Sequence, residues 1–256
     1  MVHFVGAGSG AVDLITVRGK HLVDSADVVI YAGSLVNPDI LSSCKEGCEI
    51  YNSAKMTLEE VIEVMEDSEK AGKTTVRLHT GDPCLYGAIR EQMDLLDEKK
   101  IAYEYCPGVS SFCGAAAALR TEYTLPDVSQ SVVITRMEGR TPVPELEKIE
   151  EWARHKSTMV IFLSMGLLEQ LEEKLLEGGY EKDTPAAIVY KATWPEEKVF
   201  PCTVSTIYKT AKENNITKTA LVVVGKVLQC TYERSKLYDP GFTTEFRKGT
   251  DGYRYR

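Results

Sequence analysis

Val2-His3-Phe4-Val5 runs directly into Gly6-Ala7-Gly8-Ser9-Gly10, and the reading of this stretch decides the fold. A short apolar run at the start of an α/β pattern is a buried strand. Glycines straight after it let the chain turn tightly or let a ligand approach the backbone. The spacing is GxGxG rather than the GxGxxG of a dinucleotide fold. That fold also places an acidic residue about 20 residues on, at the end of the second strand, to hold a ribose hydroxyl. Here the second apolar run, 28–31, leads into Tyr31-Ala32-Gly33-Ser34, with no carboxylate. A nicotinamide dinucleotide therefore loses its second anchor. Taken alone, the glycine loop fits a structural turn and a ligand contact equally well.

Working outward, short apolar runs at 2–5, 28–31, 75–78, 159–163, 186–190 and 220–224 read as buried strands. Amphipathic stretches separate them, which is the α/β pattern. Leu58, Val61, Ile62 and Met65 form a helical stripe opened by a capping box of Thr57 and Glu60. Ile89, Met93 and Leu96 form a second, and Leu168, Leu171 and Leu175 a third that stops at Gly178-Gly179. Val204, Ile207, Tyr208 and Ala211 form a fourth, and charged helices are expected over 145–155 and 169–183. Gly-rich turns dominate before residue 120 and more charged helices follow it. Two α/β domains are expected, 1–122 and 123–236, joined around 120–128, with a polar tail over 237–256.

The 256 residues carry 30 Lys+Arg against 38 Asp+Glu, a net charge of −8, which argues against a nucleic-acid partner. Hydrophobic residues at 43% and charged residues at 27% are the balance of an ordinary globular protein with a sizeable core. No apolar run approaches the roughly 20 residues a membrane-spanning helix needs, so no membrane partner is expected. The first cationic side chain is Arg18, so a signal peptide is not expected. The seven cysteines are odd in number and form no CxxC pair, which points to a reducing cytoplasm.

Two further loops carry candidate chemistry. His79-Thr80-Gly81-Asp82-Pro83-Cys84-Leu85-Tyr86-Gly87 follows a strand and holds more polar groups than a turn needs, although Asp82-Pro83 also suits helix entry. Cys106-Pro107-Gly108-Val109-Ser110-Ser111-Phe112 repeats the strand–turn–helix pattern. No Gly-x-Ser-x-Gly elbow frames either serine, so binding through hydroxyls and amides is favoured over nucleophilic attack. Cys44 and Cys48 lack a nearby His, and no metal site is expected.

These loops, in order, resemble the tetrapyrrole (corrin/porphyrin) methylases. The resemblance continues through Thr135-Arg136, Gly139-Arg140-Thr141-Pro142, Ser164-Met165-Gly166, Ala192-Thr193-Trp194-Pro195-Glu196 and Thr219-Ala220-Leu221-Val222, and spans residues 2 to about 238. Within the family, Tyr31-Ala32-Gly33-Ser34-Leu35-Val36, Gly139–Pro142 and Ser235-Lys236-Leu237-Tyr238 look most like the branch that methylates carbon 11 of precorrin-4 or cobalt-precorrin-4. The resemblance implies two α/β domains with a cleft between them for S-adenosylmethionine, a corrin precursor as substrate, and a homodimer. It implies cofactor contacts from Ser9, where many members have Pro, and from Thr80, Gly81, Asp82, Leu85, Ser110 and Ser111. Met165, Ala192 and Ala220 are implied to line the nucleoside pocket. Relatives that methylate uroporphyrinogen carry an Asp soon after the second strand; this chain has none there, so no catalytic base carries over.

The chemistry suits a protein without a triad or metal. An activated methyl donor and an electron-rich ring carbon need to be held in line and kept from water. The ring's carboxylates need local cations, and Arg77, Arg120, Arg136 and Arg140 beside the motif loops are candidates for forked recognition. The rival readings are another methylase of this fold (a different corrin position, diphthine synthase or a ribosomal-RNA methylase), a non-catalytic binding module, and the weakened nicotinamide oxidoreductase.

Overall fold

The structure, a computed structural model, describes residues 1–33, 35–233 and 235–250. Ser34 of the Tyr31–Val36 signature and residues 251–256 of the expected tail lie outside the described residues. The chain divides into two compact units. The first comprises Met1–Leu119, Val189–Val199 and Thr219–Leu221; the second comprises Arg120–Ile188, Phe200–Lys218 and the described residues from Val222 on.

Five parallel strands form the first sheet: β1 (Val2–Gly6), β2 (Val28–Tyr31), β3 (Glu49–Asn52), β4 (Thr75–His79) and β5 (Tyr103–Cys106), in the order β3-β2-β4-β1-β5. Alternation along each strand splits the core in two. Val5, Val29, Val76 and Leu78 face one cluster with Val23 of α1 (Val17–Ser25). Val2, Phe4, Val28 and Ile30 face the other. There they meet Val61, Ile62 and Met65 of α2 (Leu58–Lys70) and Leu96 of α3 (Arg90–Glu98). With both faces covered, the central strands β1 and β4 are buried along their whole length, polar residues included. The expected capping box is formed: the Glu60 amide donates to the Thr57 hydroxyl at 3.3 Å, and the Thr57 amide to the Glu60 carboxylate at 2.7 Å. The edge strand β3 escapes the apolar pattern because its first two residues are exposed.

Between the glycine loop and α1 lies a 3-10 turn (Val12–Leu14), and α1 starts at Val17 under a Thr16 cap. The third loop does lead into a helix at once, α4 (Ser111–Leu119).

The second sheet has the order β6-β7-β10-β8-β9, with β6 (Val132–Arg136), β7 (Thr158–Phe162), β8 (Pro185–Tyr190), β9 (Lys198–Thr203) and β10 (Ala220–Val224). It is mixed: β6 pairs parallel with β7, and β7 antiparallel with β10. The helix expected over 145–155 is broken by extended backbone at Lys148 into a 3-10 turn (Glu145–Glu147) and the short α5 (Ile149–Ala153). That expected over 169–183 is α6 (Leu168–Glu177); Gly179, left-handed at φ +102°, turns the chain out of it, and Gly178 is required by packing. A Cβ on Gly178 would stand 2.4 Å from the Ala153 Cβ and 2.5 Å from the Glu150 carbonyl oxygen, so α5 and α6 meet there. Leu168, Leu171 and Leu175 are all buried, as their stripe predicts. Truncating a fully buried leucine of this kind costs about 2–5 kcal/mol. In α7 (Ile207–Glu213) Ile207 and Ala211 are buried, whereas Tyr208 of the stripe is exposed. Beyond Ser235 the chain turns on itself, with the Arg247 guanidinium donating to the Leu237 carbonyl at 3.1 Å and to that of Asp239 at 2.6 Å.

Candidate functional site: three crossing loops

β4, β1 and β5 lie side by side, so the three motif loops leave adjacent carboxyl ends, where open α/β sheets bind ligands. The loops cross backbone on backbone. The Gly81 amide donates to the Gly8 carbonyl at 2.8 Å, and the Gly8 amide to that of Gly81 at 3.3 Å. A Cβ on Gly108 would lie 2.3 Å from the Gly81 oxygen and 2.7 Å from the Gly6 Cα. Such distances admit no side chain, and Gly81 adds a left-handed φ of +60°.

Asp82 ties the crossing together. One carboxylate oxygen accepts from the Cys84 amide at 2.8 Å and from the Tyr105 hydroxyl; the other accepts from the Gly108 amide at 2.9 Å. Burial alone would raise its pKa, but these donors outweigh it and hold the carboxyl below its ordinary value. Asp82 is thus an ionised clamp between the second and third loops.

Ser9 is buried, and its hydroxyl pairs with that of Thr193 at 3.0 Å. Ser110 is buried and Ser111 half-buried at the start of α4, whose Gly114 leaves room for Ser9. Thr80 and Leu85 are half-buried. Ala192 is buried and Ala220 half-buried, on segments that group with the first unit and are joined by the Lys191 amide donating to the Thr219 carbonyl at 2.9 Å. Met165 belongs to the second unit and is half-buried at the start of the 3-10 turn after β7. The preceding Ser164 hydroxyl accepts from the Met137 amide at 2.9 Å and donates to the Phe162 carbonyl at 2.6 Å.

The four arginines diverge. Arg77 is a correction: it is buried, and its guanidinium donates to the Gln92 side chain at 3.0 Å and to the Ile30 carbonyl at 3.1 Å. Desolvation lowers its pKa to about 10, and its place in a central strand makes it a framework group rather than a carboxylate fork. Arg136 spends its donors on the carbonyls of Met137, Thr141 and Pro142, each at 3.1 Å, and so latches the 137–142 loop. Arg120 and Arg140 are exposed. A cavity of about 140 Å³ is lined by Met137, Glu138, Lys148, Ile149, Glu150 and Lys174. Its lysines are already paired with Glu145, Glu150 and Glu177.

His79 is buried with Nε2 unpartnered; desolvation, then Arg77, press its pKa to about 3, so it stays neutral and is no base at ordinary pH. Among the described residues no group of three or more His, Cys, Asp and Glu gathers as metal ligands, and no helix is long and apolar enough to cross a membrane. Tyr105, Asn37 and Thr193 were not singled out as site residues. Asn37 donates to the Gly10 carbonyl at 3.0 Å. Only Thr193 had a signal, its place in a motif.

The profile of the Tetrapyrrole (Corrin/Porphyrin) Methylases matches residues 1–208. The cobalt-precorrin-4 C(11)-methyltransferase of Methanocaldococcus jannaschii is 52% identical over 248 residues, 96% of either chain. The X-ray structure of a cobalt precorrin-4 methyltransferase of cobalamin biosynthesis superposes with a TM-score of 0.87 at 46% identity, covering 90% of this chain and 96% of that one. The uroporphyrin-III C-methyltransferase of Thermus thermophilus, in complex with S-adenosyl homocysteine, shares the fold with a TM-score of 0.74 at 23% identity, covering 91% and 95%. The profile agrees over residues 1–208 and sequence and fold over nearly the whole length, and the chain belongs to the tetrapyrrole (corrin/porphyrin) methylases.

Proposed function

We propose that the protein transfers one methyl group from S-adenosylmethionine to carbon 11 of a precorrin-4-type ring, a step of cobalamin biosynthesis. Methyl transfer follows from family membership; ring and position are supported by the 52% identical relative of that name. One observation of the site carries the cofactor reading: the three motif loops converge at adjacent strand ends and are locked there by glycine contacts and Asp82.

The residues present fit this cofactor. When bound, it supplies a methyl already activated as a sulfonium, so no protein nucleophile is required. The ionised Asp82 puts negative charge at the junction, which favours a cationic ligand. Ser9, Thr80, Gly81, Leu85, Ser110 and Ser111 offer short side chains and backbone around it, and Met165, Ala192 and Ala220 offer apolar contacts for the nucleoside. Arg120, Arg136 and Arg140 are the proposed cations for the ring's carboxylates, Arg136 chiefly by shaping its loop. The chain's work is positioning and exclusion of water. We place the domain boundary near residue 122, with 189–199 and 219–221 grouping with the first unit, and the protein in the cytoplasm as a homodimer. The cysteines, free among the described residues, suit a reducing compartment, and light scattering checks the dimer.

The test is incubation of the enzyme with methyl-labelled cofactor and precorrin-4, with and without cobalt, and NMR location of the label. Label at carbon 11 is expected. Label at another ring carbon keeps the family and overturns the position; label in RNA or protein overturns the substrate.

A further inference from the structure

Thr193 is a β-branched residue with φ +68°, in the left-handed region such residues avoid. Lys191, two residues before it, is left-handed as well, at +47°. Conformations of this kind persist where surrounding structure over-determines them, and they gather at functional sites. What Thr193 touches gives the strain a purpose. Its hydroxyl accepts from the Ala11 amide at 3.1 Å and pairs with the Ser9 hydroxyl at 3.0 Å, so one oxygen spans both residues flanking Gly10. From another direction Asn37 holds the Gly10 carbonyl, at 3.0 Å.

Thr193 is itself fixed. Its amide donates to the Glu197 carboxylate at 2.6 Å, and the Glu197 amide donates to the Trp194 carbonyl at 3.0 Å. The Trp194 indole lies so close to Gly10 that a Cβ there would stand 2.0 Å from it, and the Lys191 ammonium sits 5.1 Å from the indole centroid. Every one of these residues belongs to the first unit.

We propose that Thr193 is a positioning residue for methyl transfer: its hydroxyl sets the conformation of the 9–11 turn, and through it the affinity for the cofactor. This rests on the reading of the glycine loop as part of the cofactor site. Losing the hydroxyl leaves the Ala11 amide without its acceptor and frees the Ser9 side chain, while the strand core is untouched.

The test compares Thr193→Val, which keeps volume and branching, with Thr193→Ser, which keeps the oxygen; Thr193→Ala substitutes where valine does not fold. Calorimetry with S-adenosylhomocysteine, the KM for each substrate, the thermal midpoint and exchange of the 8–11 amides are read on each protein. Expected are affinity about tenfold weaker in the valine (or alanine) variant, a raised KM for S-adenosylmethionine only, faster Ala11 exchange, and recovery of all three in serine. Unchanged affinity in the valine variant overturns the proposal. So does affinity that merely follows the thermal midpoint with no recovery in serine, which marks a structural role. In the wild type, S-adenosylhomocysteine is expected to protect the 8–11 amides. If it does not, the loop is not the cofactor site and both readings fall; protection with unchanged affinity in the valine variant removes Thr193 alone.

Discussion

The crossing at Gly6, Gly81 and Gly108 and the loop over 137–142 both follow motifs of the same family, yet they are built in opposite ways. The crossing is backbone against backbone, held by a two-way glycine bridge and by a half-buried carboxylate with three donors. The 137–142 loop is held by one guanidinium reaching three carbonyls, and residues 138–142 are exposed. On the proposed reading, the crossing serves one invariant ligand and can be rigid throughout, whereas the 137–142 loop meets a particular ring and can hang on one side chain, altered without disturbing the sheet behind it.

The comparison is broken most directly by adding one methyl group on each side. Gly108→Ala puts a Cβ 2.3 Å from the Gly81 oxygen, with no flexible side chain to yield. About 3 kcal/mol or more of stability should be lost, the upper range for overpacking, together with cofactor affinity. Gly139→Ala has its nearest neighbour at 4.0 Å, the end of the Leu167 side chain, and should change stability by less than about 0.5 kcal/mol. Denaturant midpoints check both. Equal losses would mean that the crossing is no more rigid than the loop.

The next test sharpens the comparison. Asp82→Asn replaces one accepting oxygen with a donor that faces a donor, at a cost of about 1–2 kcal/mol. The sign with pH follows from the lowered pKa. The stabilisation by ionised Asp82 is full above the carboxyl's unfolded value near 3.9 and is lost as pH falls through the lower folded value. The wild type's lead over the Asn variant should therefore hold from pH 7 down to about 4 and shrink below it. A lead that stays constant down to pH 2 would show that folding does not shift the Asp82 carboxyl, and a lead that grows as pH falls would show that Asp82 is protonated in the fold.

Much of the crossing was legible in the sequence because glycine leaves a mark wherever geometry forbids a Cβ, and the runs before the first two motifs are the central strands β1 and β4, whereas the edge strand β5 before the third carries no apolar run. The partners were not. Tyr105 looks like any strand residue, and only the register of β1 with β5 brings its hydroxyl to Asp82. Arg77 was misread for a different reason. Its position beside a motif suggested a ligand contact, whereas its place between Val76 and Leu78 of a central strand covered on both faces dictates burial. The strain at Thr193 is invisible to any pattern, since nothing in Ala192-Thr193-Trp194 announces a left-handed threonine.

The smallest expected effect falls on the side of the 137–142 loop, exposed at 138–142. Arg136→Ala removes three hydrogen bonds, but the carbonyls of Thr141 and Pro142 lie in an exposed segment where water replaces the lost donors. Stability should drop by no more than about 1 kcal/mol, within the net worth of ordinary hydrogen bonds. S-adenosylhomocysteine affinity should stay within twofold, because the hydrogen bonds that Arg136 gives go to its own loop. The loss should appear instead in the tetrapyrrole: a raised KM and a lower kcat, as expected when a loop no longer holds the ring in line. Arg136→Lys should not restore it, since an ammonium cannot reach three carbonyls in one plane as the guanidinium fork does. Isothermal titration with the homocysteine product and steady-state kinetics on the ring decide the matter. A tenfold fall in cofactor affinity, with the tetrapyrrole KM unchanged, would mean that the latch serves the cofactor and that the two regions are not divided by ligand at all.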